Sequence, residues 1–598
     1  MASSYKVAIL SLVILSLIIQ SFLLGKVTID NDELAYAYDA YLVSRGENPL
    51  SFGAARGFGL WFILAGWVAI VGLKSFVLLK GFFLVFYLLT VLAWYLIFRE
   101  LKKPLWGLIT IALFSLSPYL LTAQVYLHSQ NIQIPALLFG IYFYLLSHRN
   151  PLSAQRFVLL SGILLGYAFI TRESSAFHII ALALAILLYG QAPLRHKIKK
   201  VLSFGSGVAL PVGAMLFFNV RTAGLEKTVM LFRRFTEPTT GATAGSAGKN
   251  IVDMFSYMHL PYSTDLLFLF VFGIGFALVL LHAFKSSEKQ SKLSGIALKK
   301  PHANKPKLLR FGATFLLALT LVTIFALGLR LYINYRASTC FSNPLPDAYC
   351  LSSKTQAVAS PLLAGIALLI SVYLLRNRGK HVLESVPDHR LILLMLLLLL
   401  PPFFSYLKHV RFTVQYLFEF YPGVIVFSSI GIAYLWERKE YALLGLLLLA
   451  LAVSYSQAWY LLIQLPPSGS YTYHQIDQLK QAMTKLATPA PPKIFTASVA
   501  IAKLIGSEPL LHISHPISYG FPLAPEIKYA LYPRPQEIVA KMQSECNVVI
   551  LNDLLTKQSY FEEEGPLQQY VEENFREVFS LESERRTKIL VRNKPCPP

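Results

Sequence analysis

The chain is short of charge. Only 14% of its 598 residues are Asp, Glu, Lys or Arg, against about 25% in an ordinary soluble protein. Hydrophobic residues make up 55%, and mean hydropathy is +0.53. This excludes a disordered chain, and a soluble enzyme over most of the length. Cysteine is scarce as well. The four present, Cys340, Cys350, Cys546 and Cys596, include no Cys-x-x-Cys pair of the kind that holds zinc. No internal repeat of the sort that marks many secondary transporters is visible. The C-terminal tail lacks a nucleophile elbow and a phosphate-binding loop.

What is present is a series of apolar runs between Lys6 and Gln464, read as membrane-spanning helices. The net charge of +22 does not mark nucleic-acid binding, because no folded domain carries a basic face. It sits in short stretches between the runs: Arg99–Pro104, His148–Arg156, Gln191–Lys200, Lys285–Arg310, Arg376–Arg390 and Trp436–Glu440. With Lys6 these hold 24 Lys/Arg and 6 Asp/Glu, which accounts for +18 of the total. Basic loops resist translocation and mark the cytoplasmic side. The expected spans are 7–25, 76–98, 105–121, 132–147, 157–170, 174–190, 201–219, 266–284, 311–331, 358–375, 391–406, 413–435 and 441–463. That makes thirteen, with the N-terminus inside and the tail outside. Gly57–Gly72 is not counted, since a span there would invert every later basic loop. Trp61 and Trp67 suit an interfacial helix instead.

The expected organisation is an all-α polytopic membrane domain over 1–463, with a long first outer loop at 26–75, followed by a small α/β extracytoplasmic domain over 464–598. In the tail, helices are expected at Tyr473–Leu486, Gln536–Gln543 and Leu567–Asn574, and strands at Lys493–Ser498, Asn547–Leu551 and Lys588–Val591. All four cysteines fall on the outer side. An oxidising compartment there allows two disulfides, one of them Cys340–Cys350 within a single loop and the other between Cys546 and Cys596.

The strongest chemical signal follows the first span. It reads Ile29-Asp30-Asn31-Asp32-Glu33-Leu34-Ala35-Tyr36, and continues to Gly46-Glu47-Asn48-Pro49. Carboxylates crowded at a partly dry interface have raised or split pKa values, which suits a general base. The residues alone also fit an acidic turn, with Asp30 as N-cap and Glu33 in a capping box. Lys80 and Glu419 lie inside expected spans. A charge in hydrocarbon costs at least ~2.5 kcal/mol on insertion scales, so each must face protein or water. A Lys80–Glu419 pair and contact with the site are both open.

The Asp-Glu pair just after the first span, an aromatic soon after it, then Ala, Gly and Pro, resembles the GT-C glycosyltransferases. Within them it looks like the polyprenyl-phosphate-sugar users: protein O-mannosyltransferases and lipid A aminoarabinose transferases. The span count, the interfacial helix and the outer tail fit the same layout. The resemblance implies sugar transfer from a polyprenyl phosphate to a lipid, glycan or protein acceptor on the extracytoplasmic face of a plasma (inner) membrane. It puts Asp32 at the reaction centre with Glu33 beside it. A departing lipid phosphate needs cations at the same depth. The outer-facing candidates are Arg172, the Arg233-Arg234 pair, and Lys408, His409 and Arg411. Relatives often carry a second acid in the outer loop after the third span. Here that loop reads Tyr126-Leu127-His128-Ser129-Gln130-Asn131, which puts a divalent metal in doubt and leaves no certain cofactor. The other class considered is a transporter or flippase of lipid-linked sugars. Such proteins place paired charges and helix breaks at mid-membrane, whereas here the polar groups gather toward one face.

Overall fold

Among the described residues of this computed structural model, five helices are long and apolar enough to cross a membrane, and four shorter apolar helices stand beside them. The chain is a mostly helical, multi-pass membrane protein. The residues described are 2–26, 29, 31–52, 58–73, 76–149, 153–188, 193–229, 417–437, 471–486, 492–496, 499–511, 533–545, 548–552, 566–581 and 587–593, with single positions or pairs between 394 and 452. The expected spans 266–284, 311–331 and 358–375 lie outside them.

The helices in chain order are α1 Ala2–Lys26, α2 Asn31–Ser44, α3 Phe58–Val71, α4 Phe76–Gly81, α5 Phe83–Glu100, α6 Pro104–Leu116, α7 Pro118–Gln124, α8 Gln130–Leu146, α9 Ala154–Thr171, α10 Ala176–Leu188, α11 Leu194–Ala223 and α12 Leu417–Glu437. The interfacial segment is helical, as α3. The span expected at 105–121 is broken in two. Pro118 disfavours helical backbone at Ser117, which is extended (φ −65°, ψ 119°) and caps α7 by accepting from the Leu120 amide at 3.4 Å. Most of the basic stretch 191–200 is helical, because α11 already begins at Leu194.

Without a hydrophobic driving force in lipid, helices associate where small residues let backbones meet. α9 and α11 do this through Gly162, Gly166 and Gly207. A Cβ at Gly162 would stand 2.2 Å from the Phe204 carbonyl oxygen, and one at Gly207 2.3 Å from that of Leu159. These obstacles are backbone and cannot rotate away.

The tail carries α13 Tyr473–Lys485, α14 Val499–Leu504, α15 Pro535–Ser544 and α16 Pro566–Asn574, with β1 Lys493–Thr496, β2 Glu508–Pro509, β3 Val548–Asn552, β4 Phe575–Ser580 and β5 Lys588–Arg592. The sheet order is β2-β1-β3-β5-β4. β1 is parallel to β2 and β3, and β5 is antiparallel to β3 and β4. The expected helices and strands recur within a residue or two. α14, β2 and β4 were not expected.

Strand alternation sorts the sheet into two faces. Phe495, Val548 and Ile550 pack with Ile538 and Met542 of α15 and Leu567 and Val571 of α16. Ile494, Val549 and Ile589 point the other way. They join one apolar core with Leu34 and Tyr38 of α2, Leu60 and Leu64 of α3, and Leu479 of α13. Ile29 and Tyr471 close the junction with two backbone hydrogen bonds, Ile29 N–H to Tyr471 O at 2.7 Å and Tyr471 N–H to Ile29 O at 3.1 Å.

Candidate active site

The Asp-Glu motif opens α2, where carboxylates suit the positive end of the helix dipole. The two acids diverge. Asp32 is half-buried, while Glu33 is fully buried. Glu33 Oε2 lies 3.0 Å from Lys80 Nζ, and both side chains have 0% exposure. Glu33 Oε1 accepts a hydrogen bond from the Leu127 amide at 2.8 Å. The Glu33 carboxylate reaches the 126–129 loop and α4, while Asp30, the N-cap of the acidic-turn alternative, lies outside the described residues. The Lys80–Glu419 pair is corrected. Lys80 belongs to Glu33, and its ammonium also stands 4.8 Å from the Tyr126 ring centroid and 5.9 Å from that of Phe76.

The loop between α7 and α8 is shaped by Asn131. Its side-chain amide donates to the carbonyls of Ala123 at 2.9 Å and Tyr126 at 2.8 Å. This presents the Leu127 amide to Glu33 and sets His128 against the Tyr126 ring, centroids 5.5 Å apart. Burial pushes the His128 imidazole down to about 4. The Asp32 carboxylate opposes that shift, and the Arg172 and Lys80 cations add to it. His128 is thus neutral at physiological pH, and it lies within electrostatic reach of both an expected acid and an expected cation.

Arg172 terminates α9 in extended backbone (φ −156°, ψ 124°), so its side chain leaves the helix axis. It forms a salt bridge with Glu419 in the first turn of α12. Glu419 therefore contacts the site, the other possibility left open by its sequence position. Arg172 Nη1 also donates to Ser129 Oγ at 3.3 Å. With the Gln130 amide turned so that its oxygen faces the guanidinium, that oxygen accepts from Nη1 at 3.0 Å and Nη2 at 3.3 Å. One turn along α8, Gln133 donates to Ser174 Oγ at 3.0 Å and Ser175 Oγ at 2.9 Å, which pins the turn after Arg172.

Asp32, Glu33 and Arg172 thus come together around the 126–129 loop. Arg233, Arg234, Lys408, His409 and Arg411 lie outside the described residues, as do Cys340, Cys350, Cys546 and Cys596. Among the described residues no three His, Cys, Asp or Glu side chains group so as to hold a metal ion. The sequence reading missed the Glu33–Lys80 partnership and the polar set Gln130, Gln133, Ser174 and Ser175. The intramembrane lysine was the available signal for the first. Run as they are among apolar neighbours, the amides and hydroxyls give none.

Residues 56–217 match the family model described as dolichyl-phosphate-mannose-protein mannosyltransferase. The match spans Lys80, His128 and Arg172 and stops short of Asp32 and Glu33. No curated protein matches the chain. Similar solved structures include ArnT from Cupriavidus metallidurans bound to undecaprenyl phosphate, at 12% identity and a TM-score of 0.45, covering 100% of both chains. The archaeal oligosaccharyltransferase AglB from Archaeoglobus fulgidus, in complex with an inhibitory peptide and a dolichol-phosphate, is similar at 12% identity and a TM-score of 0.44, covering 97% of this chain and 74% of that one. With the family match over 56–217 the resemblance to the GT-C membrane glycosyltransferases is borne out.

Proposed function

We propose that this protein transfers a sugar from a polyprenyl-phosphate donor to an acceptor at the extracytoplasmic membrane face, with Asp32 as the base and Arg172 among the groups that receive the phosphate. The single observation that supports this reading is that the Asp-Glu motif and Arg172 bind the same loop, Glu33 at the Leu127 amide and Arg172 at Ser129 Oγ. An acid for the acceptor and a cation for the leaving group then stand on one side of the membrane domain. The acceptor oxygen attacks the anomeric carbon, its proton passes to Asp32, and the carbon–oxygen bond to the phosphate breaks. Charge growing on the phosphate is met by guanidinium, whose planar fork suits phosphate oxygens.

Glu33 has a different part. Held by Lys80 and by the Leu127 amide, it fixes the start of α2 and so fixes Asp32 beside it. Arg172 is braced by Glu419, Ser129 and Gln130, an arrangement that supports a preset geometry for an incoming phosphate. Arg411, His409, Lys408, Arg233 and Arg234 belong to the same proposal as further phosphate-binding groups. So do the thirteen-span layout, a cytoplasmic N-terminus, an extracytoplasmic α/β domain, residence in the plasma (inner) membrane, and disulfides at Cys340–Cys350 and Cys546–Cys596.

The test is sugar transfer from a radiolabelled polyprenyl-phosphate sugar by purified protein in detergent. Asp32→Asn keeps the shape and removes the base, so transfer should fall by about 10²–10⁴-fold while donor binding persists. Arg172→Ala should weaken donor binding instead. Near-normal turnover by Asp32→Asn would reduce the motif to a helix start.

A further inference from the structure

The start of α8 takes hold of Arg172 at both ends. At the tip, the guanidinium donates to Ser129 Oγ at 3.3 Å and, with the Gln130 amide turned, to its oxygen at 3.0 and 3.3 Å. At the base, the Arg172 carbonyl accepts from the Ser175 backbone N–H at 3.1 Å, which closes the short turn Glu173–Ser175. Gln133 grips that turn: its side-chain amide donates to Ser174 Oγ at 3.0 Å and to Ser175 Oγ at 2.9 Å. Ser129 and Gln133 are one helical turn apart and share a face of α8, and the Gln133 backbone N–H donates to the Ser129 carbonyl at 3.0 Å. Gln133, Ser174 and Ser175 are all buried, at 1%, 4% and 0% exposure.

Burying a carboxamide costs free energy unless hydrogen bonds offset it. For Gln133 the offset is incomplete, since its side-chain oxygen has no partner among the described residues. Leucine would fill the same space between helices without that cost. Both hydrogen bonds that the side chain does make go to the turn leaving Arg172. The backbone is extended at Arg172 and helical again from Ala176, so a small rotation in the intervening turn swings the long arginine side chain. We propose that Gln133 is a positioning residue for the donor phosphate, acting through Ser174 and Ser175 on the direction in which Arg172 points. A guanidinium held at tip and base by one helix meets a phosphate in a fixed orientation, with less freedom to lose on binding. The inference rests on the transferase reading above, and it adds a residue that the reading does not use.

The probe is undecaprenyl phosphate, titrated into the purified full-length protein in detergent. Gln133→Leu should raise its Kd by roughly tenfold. The same change made on Arg172→Ala should shift Kd by less than about twofold, because the group it orients is gone. A role in helix packing alone would move both backgrounds alike. Gln133→Leu strands two buried hydroxyls, so its thermal midpoint should fall. The triple variant Gln133→Leu/Ser174→Ala/Ser175→Ala strands none; it should recover the midpoint yet keep the raised Kd, and it carries the test should Gln133→Leu fail to fold. A wild-type Kd in Gln133→Leu or in the folded triple variant would overturn the proposal, as would an equal loss in both backgrounds. The two readings fail differently. If Arg172→Ala alone binds as tightly as the wild type, the phosphate reading fails and the proposal falls with it. A Kd moved by Arg172→Ala but not by Gln133→Leu leaves that reading standing and removes the positioning role alone.

Discussion

Replacing Lys80 with Met removes one charge from a pair that has no water around it. At 3.0 Å, two unit charges attract by about 5.5 kcal/mol for an effective dielectric of 20. Desolvating each ion costs several kcal/mol, so the intact pair is close to neutral for stability. Breaking it is not neutral, because the Glu33 carboxylate then stays buried without the cation that balances its charge. Losing one member of such a pair costs about 3–5 kcal/mol. Met keeps most of the lysine stem volume, so cavity formation adds little. Glu33→Gln should be destabilising in the same direction, as it strands the Lys80 ammonium. The double variant Lys80→Met/Glu33→Leu has no buried charge left, and should be more stable than either single one. Half-lives of the purified protein at elevated temperature, read by size-exclusion chromatography, suit an assay in which unfolding is irreversible. Lys80→Met at the wild-type half-life, or a double variant whose loss equals the sum of the singles, would refute a dry, coupled pair.

Three other outcomes are expected. Gly162→Val drives a side chain into the Phe204 carbonyl, so it should cost up to about 3 kcal/mol and lower the yield of folded protein; Gly213→Ala on α11, where a Cβ meets nothing within 4 Å, is the neutral control. His128 has a folded-state pKa of about 4 against ~6.5 unfolded. As pH falls below ~6.5 the unfolded chain takes up the proton first, so stability declines down to about pH 4 and then levels; His128→Gln should flatten that part of a plot of melting midpoint against pH. Finally, non-reduced peptide mass spectrometry should find Cys340 linked to Cys350, and both alkylated without prior reduction would remove the bridge.

Much of the helical layout was legible because long apolar runs leave little choice in lipid. The same holds for the tail, where period and turn residues gave α13, α15 and α16 and the strands β1, β3 and β5. The misses have local causes. Val499–Leu504 is six residues long and too short to show helical periodicity. β4 follows α16 directly, Asn574 to Phe575, with no turn residue between to announce a change of period. Its Arg576 and Glu577 also hide the alternation on the exposed side. The break at Ser117-Pro118 is signalled by the proline but masked by the apolar run that continues through it. Partnership was the hardest part. Lys80 had two acids to choose from, Glu33 and Glu419, and sequence separation does not say which helix stands beside α4.

That pairing decides between the two acids of the motif. Read from the sequence, Asp32 and Glu33 are adjacent and equally able to accept a proton. In the fold, Glu33 is enclosed between Lys80 and the Leu127 amide with no exposed surface, and a carboxylate held by a cation in a dry site is a poor base because its charge is already stabilised. Glu419 is committed in the same way to Arg172. Asp32 retains exposed surface and senses a neutral imidazole, which neither compensates its charge nor competes for the proton as a cation would. The two ion pairs therefore act as the frame, one tying α2 to α4 and the other tying the end of α9 to α12. The proposed base is the carboxylate of the motif that keeps some exposed surface. This also explains why Lys80 can sit inside a span without marking a transport path. Its charge is spent on holding a loop, at the level where α2 begins.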